Sequence, residues 1–99
     1  DAQVERGEPG MLLHTFDADP EDALGFVWTE VYADSDALLF HLNNADLGAY
    51  LEAVSPHLDS FTIELYGAVA DEAVAALRAT GNSVTHYANV LGYIRDLSP

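Results

Sequence analysis

WTEVYADSDALLFHLNN, residues 28–44, opens with the alternation of a strand and closes with the spacing of a helix. Trp28, Glu30 and Tyr32 alternate with Thr29 and Val31, a period of two that sends every second side chain to one face of a sheet. After Tyr32 the period changes. Leu38 and Leu42 lie one helical turn apart, and Asp34 or Ser35 ahead of them is a residue type that caps the free N–H groups of a first turn. A chain that turns from strand to helix in so few residues folds the helix back on the sheet, and this points to α+β.

Upstream, MLLHTF (11–16) reads as a second short strand, and DADPED (17–22) as a polar turn in which Pro20 fixes one backbone angle. LGFVWTEVY (24–32), rich in aromatic and β-branched residues, is the strongest strand in the chain. The two make an antiparallel hairpin. Centred on Pro20, it would pair position i with about 40 minus i. Leu12, His14, Phe16, Phe26, Trp28, Glu30 and Tyr32 then share one aromatic, polar-tipped face, and Met11, Leu13, Thr15, Val27, Thr29 and Val31 share an aliphatic one. Both faces read as covered, one by helices and the other by a second subunit.

Residues 1–10 carry little pattern and end in a Pro-Gly turn. After Asn43-Asn44 a helix restarts: Leu47, Tyr50, Leu51, Val54 and Leu58 form one helical face, and Pro56 ends or loosens it. SFTIELYG (60–67) alternates as a half-buried strand. DEAVAALRATG (71–81) is a short helix with acid at its positive end, Arg78 near its negative end and Gly81 after it. SVTHYANVLGYIR (83–95) reads as a final strand bent at Gly92. The expected architecture is one α+β domain over 1–99, an antiparallel sheet with helices on one face.

Composition narrows the partners. Seventeen Asp and Glu face three Arg and no Lys, a formal charge of −14, so nucleic acid and anionic membranes would be repelled. The acidity fits first a soluble protein with charges spread over solvated faces, with adaptation to high salt as the alternative. There is no cysteine, which removes disulfides, thiolate catalysis and Cys-ligated zinc. No apolar run is long enough for a membrane span and no signal peptide is visible, so the expected compartment is the cytoplasm.

Four histidines, His14, His41, His57 and His86, follow no compact metal spacing, so no metal or cofactor is expected. Each has an ordinary reading as a structural or surface histidine. His14 and His41 invite a second one, because His14 shares a sheet face with Trp28 and Glu30 and the helix brings His41 over the same region. They are the candidate acid–base or orienting groups, with Glu30 holding the histidine. Trp28, Tyr32 and Phe26 are candidate walls for a flat aromatic ligand, or simply strand aromatics. Surface exposure or pairing with Arg95 is the plainer account of Glu30. The Asp-x-Asp of DADPED lacks the later ligands of a calcium loop, Ser55 and His57 lack a nucleophile elbow, and no Gly-rich phosphate loop is present.

The run from Glu8-Pro9-Gly10 through Asp19-Pro20-Glu21-Asp22, Glu30, Tyr32 and Ala33–Ala37 to His41 resembles the antibiotic biosynthesis monooxygenase family, and YGAVADEAVAALRATG with GYIR resembles the tail of one uncharacterised branch. The resemblance implies a ferredoxin-like fold that pairs into a homodimeric α+β barrel. It further implies cofactor-independent oxidation of a small phenolic or quinol-type substrate by oxygen, or, in a related branch, haem degradation, which so acidic a chain disfavours. The family's first strand and helix have no counterpart ahead of Glu8: they lie upstream of Asp1 or another strand replaces them. Of the Asn, Trp, Tyr and Arg residues that the oxygenase members use, Trp28 is the one matched. A non-catalytic binding or structural dimer on the same scaffold is the alternative.

Overall fold

The computed structural model describes residues 2–93 and 95, apart from the side chain of Gln3. In chain order it contains α1 (Ala2–Gly7), β1 (Met11–Ala18), β2 (Phe26–Tyr32), α2 (Ser35–Leu42), α3 (Ala45–Val54), a 3-10 turn (Ser55–His57), β3 (Thr62–Tyr66), α4 (Asp71–Arg78) and β4 (Ser83–Tyr87). The fold is α+β.

β1 and β2 form the expected antiparallel hairpin, but from Leu13–Val31 to Ala18–Phe26 the paired residue numbers total 44, not 40. The cause is the loop. Asp19 and Asp22 use their carboxylates to hold the N–H groups of Glu21 and Leu24, and Asp19 N–H closes the loop on Gly25 O, so the turn is centred two residues past Pro20. Because the change is even, each paired residue from Leu13 onward keeps its face. His14 stands opposite Glu30, and Phe16 opposite Trp28. A bulge between Met11 and Leu13 frees Leu12 from the pairing and sets Met11 opposite Tyr32.

Among the described residues, the single chain does not build one antiparallel sheet. The four strands form two separate pairs, β1–β2 and β3–β4, and the second pair is parallel, running from Thr62–Ser83 to Tyr66–Tyr87. The reason is the connection: a strand followed by a helix that packs back on it returns the next strand in the same direction. β4 also stops at Tyr87, short of the expected 83–95, and of that run Ile94 lies outside the described residues. Val90, Leu91 and Tyr93 beyond it are exposed.

Alternation decides what β3 and β4 bury. Ile63, Leu65 and Val84 turn inward onto a core of Leu38 from α2 with Ala73 and Leu77 from α4, and Tyr32 and Leu42 pack against the same cluster. His86, also inward, donates from Nε2 to Gly67 O at 2.8 Å, so it takes the structural reading. Gly67 itself has φ +99, the left-handed region where a side chain is disfavoured.

Asp34 caps α2, accepting from Ala37 N–H at 2.8 Å. Ser35, the other candidate cap, instead accepts from Ala70 N–H at 2.9 Å and ties α2 to the start of α4. Asn44 caps α3 through Asp46 N–H, and Pro56 falls in the 3-10 turn that ends that helix. The outer hairpin face, which the sequence assigns to a second subunit, is uncovered within the single chain, with Leu13, Val27 and Val31 40%, 58% and 38% exposed. Among the described residues no helix is long and apolar enough to cross a membrane.

The Glu8-Pro9-Gly10 turn locks the chain's start to α2. Gly10 O accepts from Ala33 N–H at 2.8 Å, and a Cβ at Gly10 would sit 2.6 Å from Ala37 Cβ. A helix residue with no flexible end cannot yield that space cheaply. Gly10→Ala is therefore expected to destabilise the protein by about 1–3 kcal/mol, which a thermal melt reads as a fall of roughly 4–8 °C per kcal/mol at this size.

Candidate functional site

The inner face of the hairpin, the end of α1 and the facing sides of α2 and α3 enclose a cleft of about 320 Å³. Strand alternation brings His14, Phe16 and Trp28 to it, α2 contributes His41, α3 and its cap contribute Asn44, Asp46, Leu47 and Tyr50, and the segment ahead of β1 supplies Val4 and Glu8. Trp28 is the hub of the aromatic wall. It stacks on Phe16 at 5.0 Å between centroids and meets the rings of Tyr50 and Phe61 at 6.1 and 6.2 Å.

Behind this wall lies a chain of polar groups. His41, 3% exposed, places Nδ1 at 2.8 and 3.0 Å from the two carboxylate oxygens of Glu8, itself 2% exposed. Asn44 donates a further bond to Glu8 Oε2 at 3.0 Å. On the other edge of the ring, His41 Nε2 is 3.3 Å from Glu30 Oε2. That oxygen has no well-aligned hydrogen bond, so the attraction here is mainly one of charge. Glu30 Oε1 in turn accepts from the Tyr32 hydroxyl at 2.7 Å.

The electrostatics follow from this enclosure. Burial alone would lower the pKa of His41, but the Glu30 and Glu8 carboxylates outweigh it and hold the pKa above the usual 6.5. Burial pushes Glu30 up, and its contacts with His41 and Tyr32 reverse the effect and leave it below the usual 4.5. Tyr32 is driven upward by burial and by the charge of Glu30, so its phenol stays protonated. The two carboxylates thus favour the imidazolium form of His41, in which each ring nitrogen faces a carboxylate.

His14 is held differently. The Trp28 indole N–H points at His14 Nε2 at 3.1 Å, and an indole N–H only donates, so Nε2 carries the lone pair and the neutral ring keeps its proton on Nδ1. The same Nε2 is 3.5 Å from Glu30 Oε2, a distance at which two acceptors gain nothing from each other. Neither histidine offers Nε2 to an axial iron. Among the described residues no group of three or more His, Asp or Glu is arranged to hold a metal ion.

His14, Trp28 and His41, named from the sequence, line one cleft, and Glu30 touches both histidines from behind. Tyr32 and Phe26 are not walls of it. Tyr32 turns its hydroxyl to Glu30 and its ring to the core. Phe26, at the end of β2, is 63% exposed and reaches only the edge of Phe16. Arg95 does not serve Glu30, since its guanidinium lies over the Tyr93 ring.

The lining also holds Val4, Glu8, Phe16, Asn44, Asp46, Leu47 and Tyr50, none of them named as site residues from the sequence. By pattern alone Tyr50 is a helix-face residue and Asn44 a helix break. Glu8 stands in a turn without periodicity, and its partner His41 is 33 positions away.

The triad sets a pH window for stability. The raised pKa of His41 contributes fully below about 6.5 and is lost as pH rises through its folded value; the lowered pKa of Glu30 contributes above about 4.5 and is lost as pH falls through its own. The stabilisation from the pair is thus greatest between those limits. His41→Ala leaves Glu8 buried without its cation, at an expected cost of about 3–5 kcal/mol. Melts of wild type and His41→Ala across pH 3–9 check both: the gap between them should be widest in that window and narrow on each side.

Compared with known proteins, this chain matches no family model, no curated protein and no solved structure.

Proposed function

We propose that the cleft binds one small aromatic molecule. The observation that carries this reading is that Trp28, His14 and His41 line a single cavity with Phe16 and Tyr50, so that an aromatic wall and a row of fixed polar groups face the same space. A volume of about 320 Å³ suits one or two rings. The polar row is rigid because each member is held by another, and rigidity of this kind orients a ligand at little entropic cost. Binding is favoured over histidine acid–base catalysis, because the lone pair of His14 Nε2 is taken by Trp28 and both nitrogens of His41 face carboxylates.

A second reading is turnover: a cofactor-independent monooxygenase-like enzyme acting on a quinol-type substrate. What favours it is the placement of Glu8 in the cleft lining, where a ring hydroxyl would meet a carboxylate. Deprotonation makes a quinol electron-rich enough to react with oxygen. In this reading Glu8 takes the proton, while His41 and Glu30 hold the charge in place and Trp28 walls the ring.

The assembly that goes with either reading is a homodimer of the dimeric α+β barrel kind, a second copy covering the outer face of β1–β2. Its support is that Leu13, Val27 and Val31 are exposed on that one face, with Asp17 the one charged residue of its strand pairs in a chain carrying −14. Burying such a face stabilises by about 25 cal/mol per Å², against a like-charge repulsion that salt screens.

Trp28 is the single tryptophan, so its emission reports the cleft directly. Hydroquinone and anthrone panels are expected to shift it, and a panel that leaves it unmoved counts against binding. Oxygen uptake with the same panel separates the readings: none, with binding intact, leaves the binding protein. In sedimentation at raised salt the chain is expected to run as a dimer and Val27→Asp as a monomer; a wild-type monomer at every salt concentration would count against the assembly.

A further inference from the structure

We infer that the outer edge of β4 joins a second copy of this chain, antiparallel, through residues 83–91. Tyr87 O accepts from Gly67 N–H at 3.0 Å on the β3 side. Main-chain groups alternate along a strand, so those of Val84 and His86 point to the opposite edge, and among the described residues β4 pairs with β3 alone. Proteins blunt such an edge with charged side chains, proline or a bulge. β4 contains no Asp, Glu, Lys, Arg or Pro, and its pairing runs without a bulge. The sequence beyond it continues the strand: Ala88 to Leu91 hold neither Gly nor Pro, and the alternation that turns Val84 and His86 inward carries on to Val90. β4 stops at Tyr87 because its neighbour stops, β3 ending at Tyr66 and Gly67 turning away with φ +99. Val90 and Leu91 are left 96% and 94% exposed. A second copy supplies the strand they lack.

Charge names the occupant. All 17 acids lie outside the stretch from Ala73 to Arg95, and two of the three arginines, Arg78 and Arg95, lie inside it. β1, β2 and β3 carry Asp17, Glu30 and Glu64, whereas β4 carries no acid. In a chain of −14 this is the strand at which two copies meet without setting acid beside acid. The edge is also its own complement. With Tyr87 on a two-fold axis, His86 faces Ala88 of the second copy and Val84 faces Val90, and the main-chain groups of all four point to the shared edge. Val90 then covers Val84, which packs on the core. Tyr87, stacked on Tyr66 at 5.2 Å, meets Tyr87 of the second copy. This contact is separate from the outer hairpin face. It rests on few side chains, so it is expected to fill at higher protein concentration.

Sedimentation of Val27→Asp, with the hairpin face blocked, reads the edge alone: monomer when dilute, dimer on concentration. Adding Val90→Pro removes an N–H that the pairing uses once on each copy, and is expected to weaken this association by roughly tenfold or more. Val90 is 96% exposed within the chain, so the dilute variant should melt with its parent. A second measurement uses the absence of cysteine. Tyr87→Cys sets two thiols at a pair without main-chain bonds, where a Cα spacing of about 4.5 Å suits a disulfide; Thr85→Cys stands opposite Asn89 of the second copy instead. Under mild oxidation the first is expected to cross-link about tenfold faster than the second. A Val27→Asp chain that stays monomeric at every concentration overturns the inference. So does association that Val90→Pro leaves unchanged, or equal cross-linking of the two thiols. Val27→Asp already dimeric when dilute would count against the hairpin assembly, and Val90→Pro would still decide the edge.

Discussion

A histidine clamped between two carboxylates holds the hairpin half of this protein to its helices. Glu8 comes from the turn ahead of β1, Glu30 from β2 and His41 from α2, so one largely buried ion triad joins three segments. The core itself is small: Leu38, Ala73 and Leu77 are its buried members, and they lie toward α4 and the parallel strands. On the hairpin's inner side, polar bonding and aromatic edges replace oil. Such an arrangement does not tolerate piecemeal change, because removing the cation strands two anions and removing either anion unbalances the ring.

The same clamp decides which chemistry is open. A histidine in a cleft beside a carboxylate suggests a general base, and the sequence carries that suggestion for His14 and His41 alike. The geometry assigns their nitrogens otherwise: indole to imidazole at His14, imidazolium to two carboxylates at His41. The groups lining the cleft are then carboxylates, the Asn44 amide, the Tyr50 phenol and aromatic faces.

Much of the fold was legible because it is written in short-range pattern. The β2-to-α2 corner, the Asp34 cap, the break at Asn43-Asn44 and the Pro56 turn all follow from residues within a few positions of one another. The hairpin register was misplaced by loop chemistry, and the faces survived because the displacement was even. The parallel pairing of β3 with β4 was missed because an alternating strand pattern is the same in either direction; only the helix between the two strands carries the sign. Of the site, the residues on the sheet face were visible by parity. Glu8 was not, since a buried carboxylate is defined by a partner far along the chain, and neither was the turning of Tyr32 toward the core, which depends on where α2 docks.

The hairpin loop has one more implication. Asp19 and Asp22 satisfy the loop's own N–H groups, and Asp19 seals it against Gly25, so residues 19–25 form a self-contained cap. Nothing in the cleft lining comes from it. It is therefore a natural place to graft a label or a surface tether: the grafted segment would follow the last strand pair, Ala18–Phe26, and replace no residue of the cleft lining.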